Sequence, residues 1–308
     1  MNTNPNDVVV VGNVGIDTNI YPYAEEIDFG VESNFTRNID YVGQAGGYTS
    51  RGYVRLGYST GFIGHVGNDF GGDFIRQTFS ADGIDSRALL TDPDGTARSV
   101  NLMYRDGRRK NFYDGKGHMS LEPDLNLCRE VLSGARLAHF HLPNWARHLL
   151  PLARAQGLTI ACDLQDVVDP HDPYRRDFID QADILFFSAA NFEDPASLIR
   201  QFLTGRPERI VVTGMGARGC ALGTAEGVRF FPPVAMAAPV IDTNGAGDML
   251  AVGFLSSYVL EGYSVEDALL RGQIAARHAC TLKASSSGLI SRRQLDTYHQ
   301  SHRIEPVA

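Results

Sequence analysis

Cysteine is scarce in this 308-residue chain, and its four members are far apart in the sequence: Cys128, Cys162, Cys220 and Cys280. No C-x-x-C pair occurs, and no histidine stands at zinc-finger spacing, which excludes a recognisable zinc site or disulfide framework. Basic residues are also fewer than acidic ones, 28 against 36, and the formal net charge is -8. This charge balance opposes non-specific nucleic-acid binding. The wide spacing of the cysteines favours four mostly buried thiols in a reducing compartment.

Long hydrophobic runs are missing as well, since no apolar stretch approaches the ~18 residues that a membrane helix needs. The amino terminus, MNTNPNDVVVVG, lacks the basic segment of a signal peptide and predicts a strand. We therefore expect a cytoplasmic protein without a membrane or nucleic-acid partner. The chain also lacks a G-x-G-x-x-G after its first strand, a Walker loop and the protein-kinase motifs, which disfavours those nucleotide-binding classes.

What is present is an alternation of short apolar runs with stretches long enough for helices. Such alternation predicts right-handed βαβ units and a mostly parallel sheet covered on both faces. Helices are predicted over 70–79, 246–260 and 265–282, whereas 84–113 reads as hairpins. With no linker-like shift in composition, residues 1–308 are expected to form one α/β domain with a small β-rich appendage. The predicted strands of the sheet are 8–11, 60–63, 137–142, 158–163, 184–187 and 210–213.

The most informative segment is Asp-Thr-Asn-Gly-Ala-Gly-Asp at 242–248, which leads from a predicted strand into a predicted helix. Glycines at 245 and 247 let an anion approach the backbone, and the helix dipole adds positive potential there. Asp248 stands where the helix begins, in a position to accept a proton from an attacking hydroxyl. A lone G-x-G-D would more often be a tight turn with a helix cap, so the whole string has to decide.

This seven-residue string resembles the carboxyl-terminal signature of the ribokinase (PfkB) family of carbohydrate and nucleoside kinases. The resemblance implies Asp248 as catalytic base and Gly245, Ala246 and Gly247 as the anion hole. It also implies that Asp242 and Thr243 lie near the phosphates of ATP, with Asp242 in magnesium or monovalent-cation surroundings.

The remainder of the chain matches the same family in order. Gly12 to Asp17 resembles the first strand with its hydroxyl-binding aspartate, which places Asp17 at the substrate, and residues 53–71 resemble the amino-terminal signature. The implied fold is a ribokinase-like three-layer sandwich with a β-sheet lid formed by segments of about 18–42 and 97–114, including Asp106-Gly107-Arg108. Family lids often pair, so a homodimer through the lid is implied by analogy.

Weaker matches fall on the nucleotide side. Asn191 and Asp194 resemble the family's magnesium-organising N-x-x-E, with aspartate in place of glutamate. Thr213, Gly216 and Gly219 resemble its nucleotide loop with one extra residue. Residues 163–165 stand where family members show D-x-N, and residues 284–288 stand where adenine and cation contacts occur.

The substrate loop departs from the family. Aligned without a gap, G-G-x-x-x-N falls on Gly43, Gln44 and Tyr48, so the second glycine and the substrate asparagine are both replaced. Tyr48 could stack on a sugar or a nucleobase, or it could simply pack. Ala45 occupies the lysine position of the phosphosugar branch, which disfavours an already phosphorylated substrate. We interpret Trp145, His139 and His141 as structural.

We therefore predict an ATP-dependent kinase that uses Mg²⁺ and phosphorylates a hydroxyl of a pentose, hexose or sugar acid; a requirement for K⁺ stays open. A nucleoside kinase of the same family is the first alternative. A non-catalytic sugar or nucleotide sensor on a kinase scaffold is the second, although a sensor would have no need of Asp248.

Overall fold

The computed structural model describes residues 5–104, 109–189 and 191–304, excluding the side chains of the last two. The predicted lid turn with Asp106, Gly107 and Arg108 lies outside the described residues. The strands are β1 (Val8–Val11), β2 (Gly15–Pro22), β3 (Thr36–Gly43), β4 (Thr60–Val66), β5 (Asp85–Thr91), β6 (Arg98–Met103), β7 (Arg109–Asp114), β8 (Leu137–Phe140), β9 (Thr159–Asp166), β10 (Ile184–Ser188), β11 (Ile210–Gly214), β12 (Cys220–Thr224) and β13 (Gly227–Phe231). The α-helices are α1 (Gln44–Arg55), α2 (Phe70–Asp82), α3 (Leu125–Leu132), α4 (Leu150–Ala155), α5 (Arg176–Gln181), α6 (Ala196–Leu203), α7 (Ala246–Leu255), α8 (Val265–Ala279) and α9 (Arg292–Ile304).

Nine strands form the large sheet in the order β13-β12-β11-β10-β9-β8-β1-β4-β5. All neighbours are parallel except for the β11–β12 and β12–β13 pairs at one edge, which are antiparallel. The four valines of β1 are fully buried, as expected for a central parallel strand with both faces covered. The predicted mostly parallel sheet is confirmed.

Helices cover both faces of this sheet and give the predicted three layers. Val8 and Val10 point into one core cluster, which contains side chains of α1, α2, α7, α8 and α9. Val9 and Val11 point into the other, which is built with α3, α4, α5 and α6. This alternation along β1 follows from the two-residue period of a strand.

A second sheet has four strands in the order β3-β2-β6-β7 and corresponds to the predicted lid. The hairpin prediction for 84–113 is correct for β6 and β7, which pair antiparallel. It is wrong for β5, which joins the large sheet parallel to β4. Ala88 and Leu89 are buried in that position, and the burial of this edge decides against a local hairpin.

One helix departs from the sequence prediction in detail. The helix predicted over 246–260 is α-helical as far as Leu255 and then continues as a π turn over Ser256–Leu260. Among the residues that the structure describes, no helix has both the length and the apolar character required to cross a bilayer.

Candidate active site

Several polar side chains converge where the large sheet meets the small one, and two of them, Asp17 and Asp248, were predicted from the sequence as site residues. Asp163 lies on β9, His141 follows β8, and α7 begins nearby with Asp248 in its first turn. From the small sheet, β2 contributes Asp17. The carboxyl ends of parallel strands are where open α/β sheets bind ligands, so this position suits a substrate pocket.

The glycine turn before α7 is the segment that the sequence predicts as an anion hole. Gly245 has φ +73°, in the left-handed region, and a Cβ at this position would lie 2.3 Å from the Tyr48 ring. A Cβ on Gly247, in contrast, would meet no heavy atom within 4 Å. The helix terminus therefore faces open space at Gly247, where the positive end of the helix dipole favours negative charge. The Ala246 N–H donates to the Thr243 carbonyl at 3.3 Å.

Asp248 lies beside these glycines in a strongly perturbed environment. Burial and the nearby charge of Asp163 raise its pKa well above the ordinary value, whereas Arg109 opposes the shift. A carboxylate with a raised pKa is a better proton acceptor from a hydroxyl group. Arg109 lies on β7 of the small sheet and was not singled out from the sequence as a site residue.

On the substrate side, Asp17 is buried and points toward the start of α1. Burial raises its pKa to about 6, and the Gln44 backbone N–H donates to its Oδ2 at 3.3 Å. A Cβ on Gly43 would lie 2.3 Å from the Asp17 carboxylate, so only glycine permits this approach. Asp17 Oδ1 and Gln44 Nε2 are buried without a hydrogen-bond partner among the described residues. Two such unpaired groups are suited to the hydroxyls of a substrate.

Gln44 occupies this position at the expense of backbone strain, because its φ is +60°. Its side-chain Oε1 accepts from Asn13 Nδ2 at 2.9 Å, which turns Nε2 away from Asn13. We expect Gln44→Gly to leave the free energy of unfolding unchanged or raise it by up to ~1 kcal/mol, since glycine adopts this φ freely. The lost amide donor should raise the KM of the acceptor about tenfold.

The measurement is steady-state kinetics of Gln44→Gly together with thermal unfolding. Lys116→Gly is a matched control, because Lys116 also has a positive φ, +52°, but its ammonium pairs with Asp114. The control should retain the KM of wild type. An unchanged acceptor KM in Gln44→Gly would remove the side chain of Gln44 from substrate binding.

Tyr48 packs instead of facing the pocket. Its side chain is 3% exposed, its hydroxyl donates to Tyr41 Oη at 3.0 Å, and its ring supports Gly245. Of the two roles left open by the sequence, this geometry favours packing. The residue that replaces the family asparagine thus packs against the glycine turn before α7.

Asp242 is held by the small sheet. Its Oδ2 accepts from Asn19 Nδ2 at 2.8 Å and from the Tyr21 hydroxyl at 3.0 Å, both on β2. The backbone N–H groups of Asn244 and Ala284 donate to the same carboxylate. With four donors around it and 2% exposure, Asp242 is a poor direct metal ligand.

Sequence reasoning missed Asn19 and Tyr21, although a signal was available. Residues i, i+2 and i+4 of a strand share one face, so Asp17, Asn19 and Tyr21 all point to the side of the small sheet that carries Asp17. Once Asp17 is placed at the substrate, the alternation predicts the face on which Asn19 and Tyr21 lie, but not their contact with Asp242.

The residues predicted to bind the nucleotide do not all face a common open space. Thr213 is fully buried in β11, and its hydroxyl donates to the Phe187 carbonyl at 2.9 Å, so this side chain serves the sheet. Gly216 has φ +59° with open space at its Cβ position. Gly219 is required by packing, because a Cβ there would lie 2.1 Å from the Phe231 carbonyl oxygen.

The predicted magnesium residues lie on the loop before α6. Asn191 and Asp194 are both exposed; Asn191 Nδ2 donates to the Val167 carbonyl at 3.1 Å, and Asp194 Oδ1 accepts from the Ala196 N–H at 2.9 Å. Each still presents oxygen to solvent, which is the ligand type that Mg²⁺ prefers. Thr243, next to the glycine turn, is exposed as well.

The comparison with known families decides the class. Residues 5–292 match the profile of the pfkB family carbohydrate kinases. This chain belongs to the PfkB family. It is therefore an ATP-using sugar kinase with a ribokinase-like fold, as the signature at 242–248 implied.

Individual relatives extend over nearly the whole PfkB chain. It is 32% identical over 296 residues to acarbose 7(IV)-phosphotransferase of an Actinoplanes species, covering 94% of this chain and 97% of the relative. It is 27% identical over 335 residues to 5-dehydro-2-deoxygluconokinase of Geobacillus thermodenitrificans, covering 96% and 94%.

Solved structures agree with this fold. The microbiome-derived acarbose kinase Mak1 superimposes with a TM-score of 0.87 and 29% identity, over 96% of this chain and 100% of that one. Arabidopsis thaliana ribokinase complexed with ribose and ATP superimposes with a TM-score of 0.80 at 19% identity, over 96% and 99%, which shows the fold alone.

Proposed function

We propose that this PfkB kinase transfers the γ-phosphoryl group of ATP to a hydroxyl of a non-phosphorylated carbohydrate, with Asp248 as base. The single observation that carries this assignment is the half-buried Asp248 in the first turn of α7, directly after a glycine turn that faces open space at Gly247. The N–H groups of Gly245, Ala246 and Gly247 serve as the anion hole for the charge that develops on the transferred group, and the Ala246 N–H leaves the Thr243 carbonyl, to which it donates at 3.3 Å, to do so.

The acceptor is bound through the groups of β2 and the start of α1. Asp17 Oδ1 accepts from a substrate hydroxyl, and Gln44 Nε2 donates to a substrate oxygen, since both atoms are buried and unpaired within the described part of the chain. The buried ring of Tyr48 offers no stacking surface, which supports a sugar over a nucleoside at this position. The names of the relatives, which refer to acarbose and 5-dehydro-2-deoxygluconate, support the same choice.

The nucleotide lies on the far side of the glycine turn. Thr243 and the backbone around Gly216 and Gly219 contact the nucleotide in this proposal. Asn191 and Asp194 fit Mg²⁺ because their oxygens are exposed, while Asp242 acts on the small sheet rather than on the ion. Bound Mg²⁺ would neutralise charge on the phosphates of ATP.

The remaining parts of the proposal concern assembly and location. Residues 1–308 act as one unit, with the four-stranded sheet as its lid, in the cytoplasm. Exposed aromatic side chains of the small sheet and its β2–β3 connection, Phe29, Phe35 and Phe112, support a homodimer through the lid.

The experiment is ATP consumption by the purified chain with Mg²⁺, with and without K⁺, across acarbose, 5-dehydro-2-deoxygluconate, ribose, hexoses, phosphosugars and nucleosides. One carbohydrate acceptor should exceed the background ATPase by at least ~100-fold. Preference for a nucleoside or a phosphosugar would contradict the proposed acceptor class. A melting temperature raised by a sugar without any turnover would favour the sensor.

A further inference from the structure

Three side chains that are able to ligate a metal meet beside the glycine turn. One ring nitrogen of His141, one carboxylate oxygen of Asp163 and one of Asp248 all lie within 4.8 Å of one another. His141 is fully buried, Asp163 is 7% exposed, and Asp248 is half-buried in the first turn of α7. The substrate and nucleotide contacts proposed above give His141 and Asp163 no role.

The hydrogen bonds around His141 leave a lone pair on Nδ1. The Thr49 hydroxyl donates its proton to the Ala45 carbonyl at 2.8 Å, so the contact of 3.1 Å between Thr49 Oγ1 and His141 Nε2 is donated by the histidine. His141 Nδ1 is then an acceptor, and it is buried without a hydrogen-bond partner among the described residues. Histidine ligands of metals have this arrangement, in which an oxygen holds one N–H and the other nitrogen is left for the ion.

The backbone at the end of β9 holds Asp163 in one orientation. Gln165 has φ +55°, in the left-handed region, and its N–H donates to Asp163 Oδ1 at 2.8 Å. A non-glycine residue in this region costs about 1 kcal/mol or more. The bend therefore fixes the direction of the carboxylate through Oδ1 and leaves Oδ2 for a ligand.

The charges around the cluster favour a bound cation. The charges of Asp163 and Asp17 both act on Asp248, and Arg109 on β7 opposes them. Once ionised, these three carboxylates outweigh this guanidinium in a partly buried space, where uncompensated charge is costly. A divalent ion would balance the excess.

The donor set selects the kind of ion. Mg²⁺ prefers oxygen ligands in octahedral geometry, whereas Zn²⁺ takes an imidazole nitrogen together with carboxylate oxygens in a tetrahedral set. Ligand atoms about 2.0–2.1 Å from a tetrahedral Zn²⁺ lie about 3.4 Å from one another, so the three atoms have to approach by about 1.4 Å at most. Three protein ligands leave the fourth position of the ion for water.

We propose that His141 Nδ1, Asp163 and Asp248 form a binding site for Zn²⁺, distinct from the Mg²⁺ that accompanies ATP. The spacing along the chain does not predict this set, since its members come from the segment after β8, from β9 and from α7. The consequence for turnover rests on the proposed function. A carboxylate that gives its lone pair to Zn²⁺ does not accept the proton of a hydroxyl, so the zinc-bound chain is an inhibited kinase.

The test is calorimetric binding of Zn²⁺ at pH 7, without nucleotide or sugar, repeated with Co²⁺, whose visible absorption reports a tetrahedral site. His141→Phe should weaken Zn²⁺ binding by more than ~100-fold, because even the groups that only orient a ligand contribute about 10–100-fold to metal affinity. Thr49→Val removes the oxygen that holds the Nε2–H and should weaken binding by about 10–100-fold.

His139→Phe is the matched control. His139 is also fully buried, and its ring centroid lies 4.7 Å from that of His141, but it is outside the group of three ligands. This variant should bind Zn²⁺ as wild type does. A loss of binding in His139→Phe as large as that in His141→Phe would assign the effect to general disruption of the core and contradict the site.

Equal Zn²⁺ affinity in wild type and His141→Phe, or no Zn²⁺ binding by wild type, would overturn the inference. Should His141→Phe not fold, Asp163→Asn decides the same point, since it removes a charged ligand with little change of shape and should weaken binding at least ~10-fold. None of these measurements needs turnover. A failed acceptor panel in zinc-free buffer would therefore contradict the proposed function alone, and an active kinase without zinc binding would contradict the site alone.

Discussion

Asp248→Asn should lower kcat by at least ~10³-fold while leaving nucleotide binding intact. The amide keeps the shape of the side chain but cannot take the proton of the attacking hydroxyl. Because burial and the charge of Asp163 raise the pKa of Asp248 in the folded state, its ionisation opposes folding as pH rises through that pKa. The variant should therefore be at least as stable as wild type at pH 8.

Three measurements check this expectation: turnover, the rise in melting temperature with ATP, and thermal stability at pH 6 and 8. Asp73→Asn is a matched control, because Asp73 is an exposed aspartate in the first turn of another helix, α2. The control should keep full activity. Turnover of Asp248→Asn within threefold of wild type would assign the base to another residue.

Gly245→Ala and Gly247→Ala should separate the structural role of one glycine from the chemical role of the other. An alanine at position 245 would have to adopt φ +73°, and its methyl group would lie 2.3 Å from the buried ring of Tyr48. That ring cannot easily move, because its hydroxyl is hydrogen-bonded to Tyr41. Backbone strain and overpacking together should destabilise the fold by about 2–4 kcal/mol. Activity should be lost along with stability.

Gly247→Ala should have the opposite balance. Its Cβ meets no heavy atom within 4 Å, and alanine is favourable in a helix, so the melting temperature should stay within about 2 °C of wild type. Turnover should still fall by about 10²-fold or more, because the methyl group occupies the space that a phosphoryl group needs in front of the N–H groups. A fully active Gly247→Ala would move the anion hole away from this helix terminus.

The fold could be predicted from the sequence wherever the pattern is local. Four successive valines predict a buried strand whatever their neighbours are. The helix predicted over 70–79 is α2, which extends to Asp82 and is capped by Gly83 in the left-handed conformation. The hairpin prediction was wrong for β5 because its sequence indicates only that it forms a strand. The sequence does not indicate that this strand pairs with β4 rather than with β6. Asp248 was assigned because the string at 242–248 is specific to one family.

The parts of the site that escaped prediction depend on contacts between distant segments. Asn19 and Asp242 are 223 positions apart and meet only after the small sheet has docked on the large one. Likewise, the left-handed φ of Gln44 and the proximity of His141 to Asp163 arise from how the strands end. Residue type and spacing do not contain that information.

Opening of the proposed lid would break the hydrogen bonds from Asn19 and Tyr21 to Asp242. If β2 swings away from the glycine turn, a buried carboxylate loses two donors, at a cost of about 1–3 kcal/mol for each one that water does not replace. If the small sheet is the lid, as proposed, we expect the closed conformer to be the majority before any ligand binds, and amide hydrogen exchange on β2 without ligand should be slow. The rate of sugar binding would be limited by the rare open conformer. Substitutions at positions 19 and 21 should therefore change the affinity and the association rate without changing the rate of phosphoryl transfer.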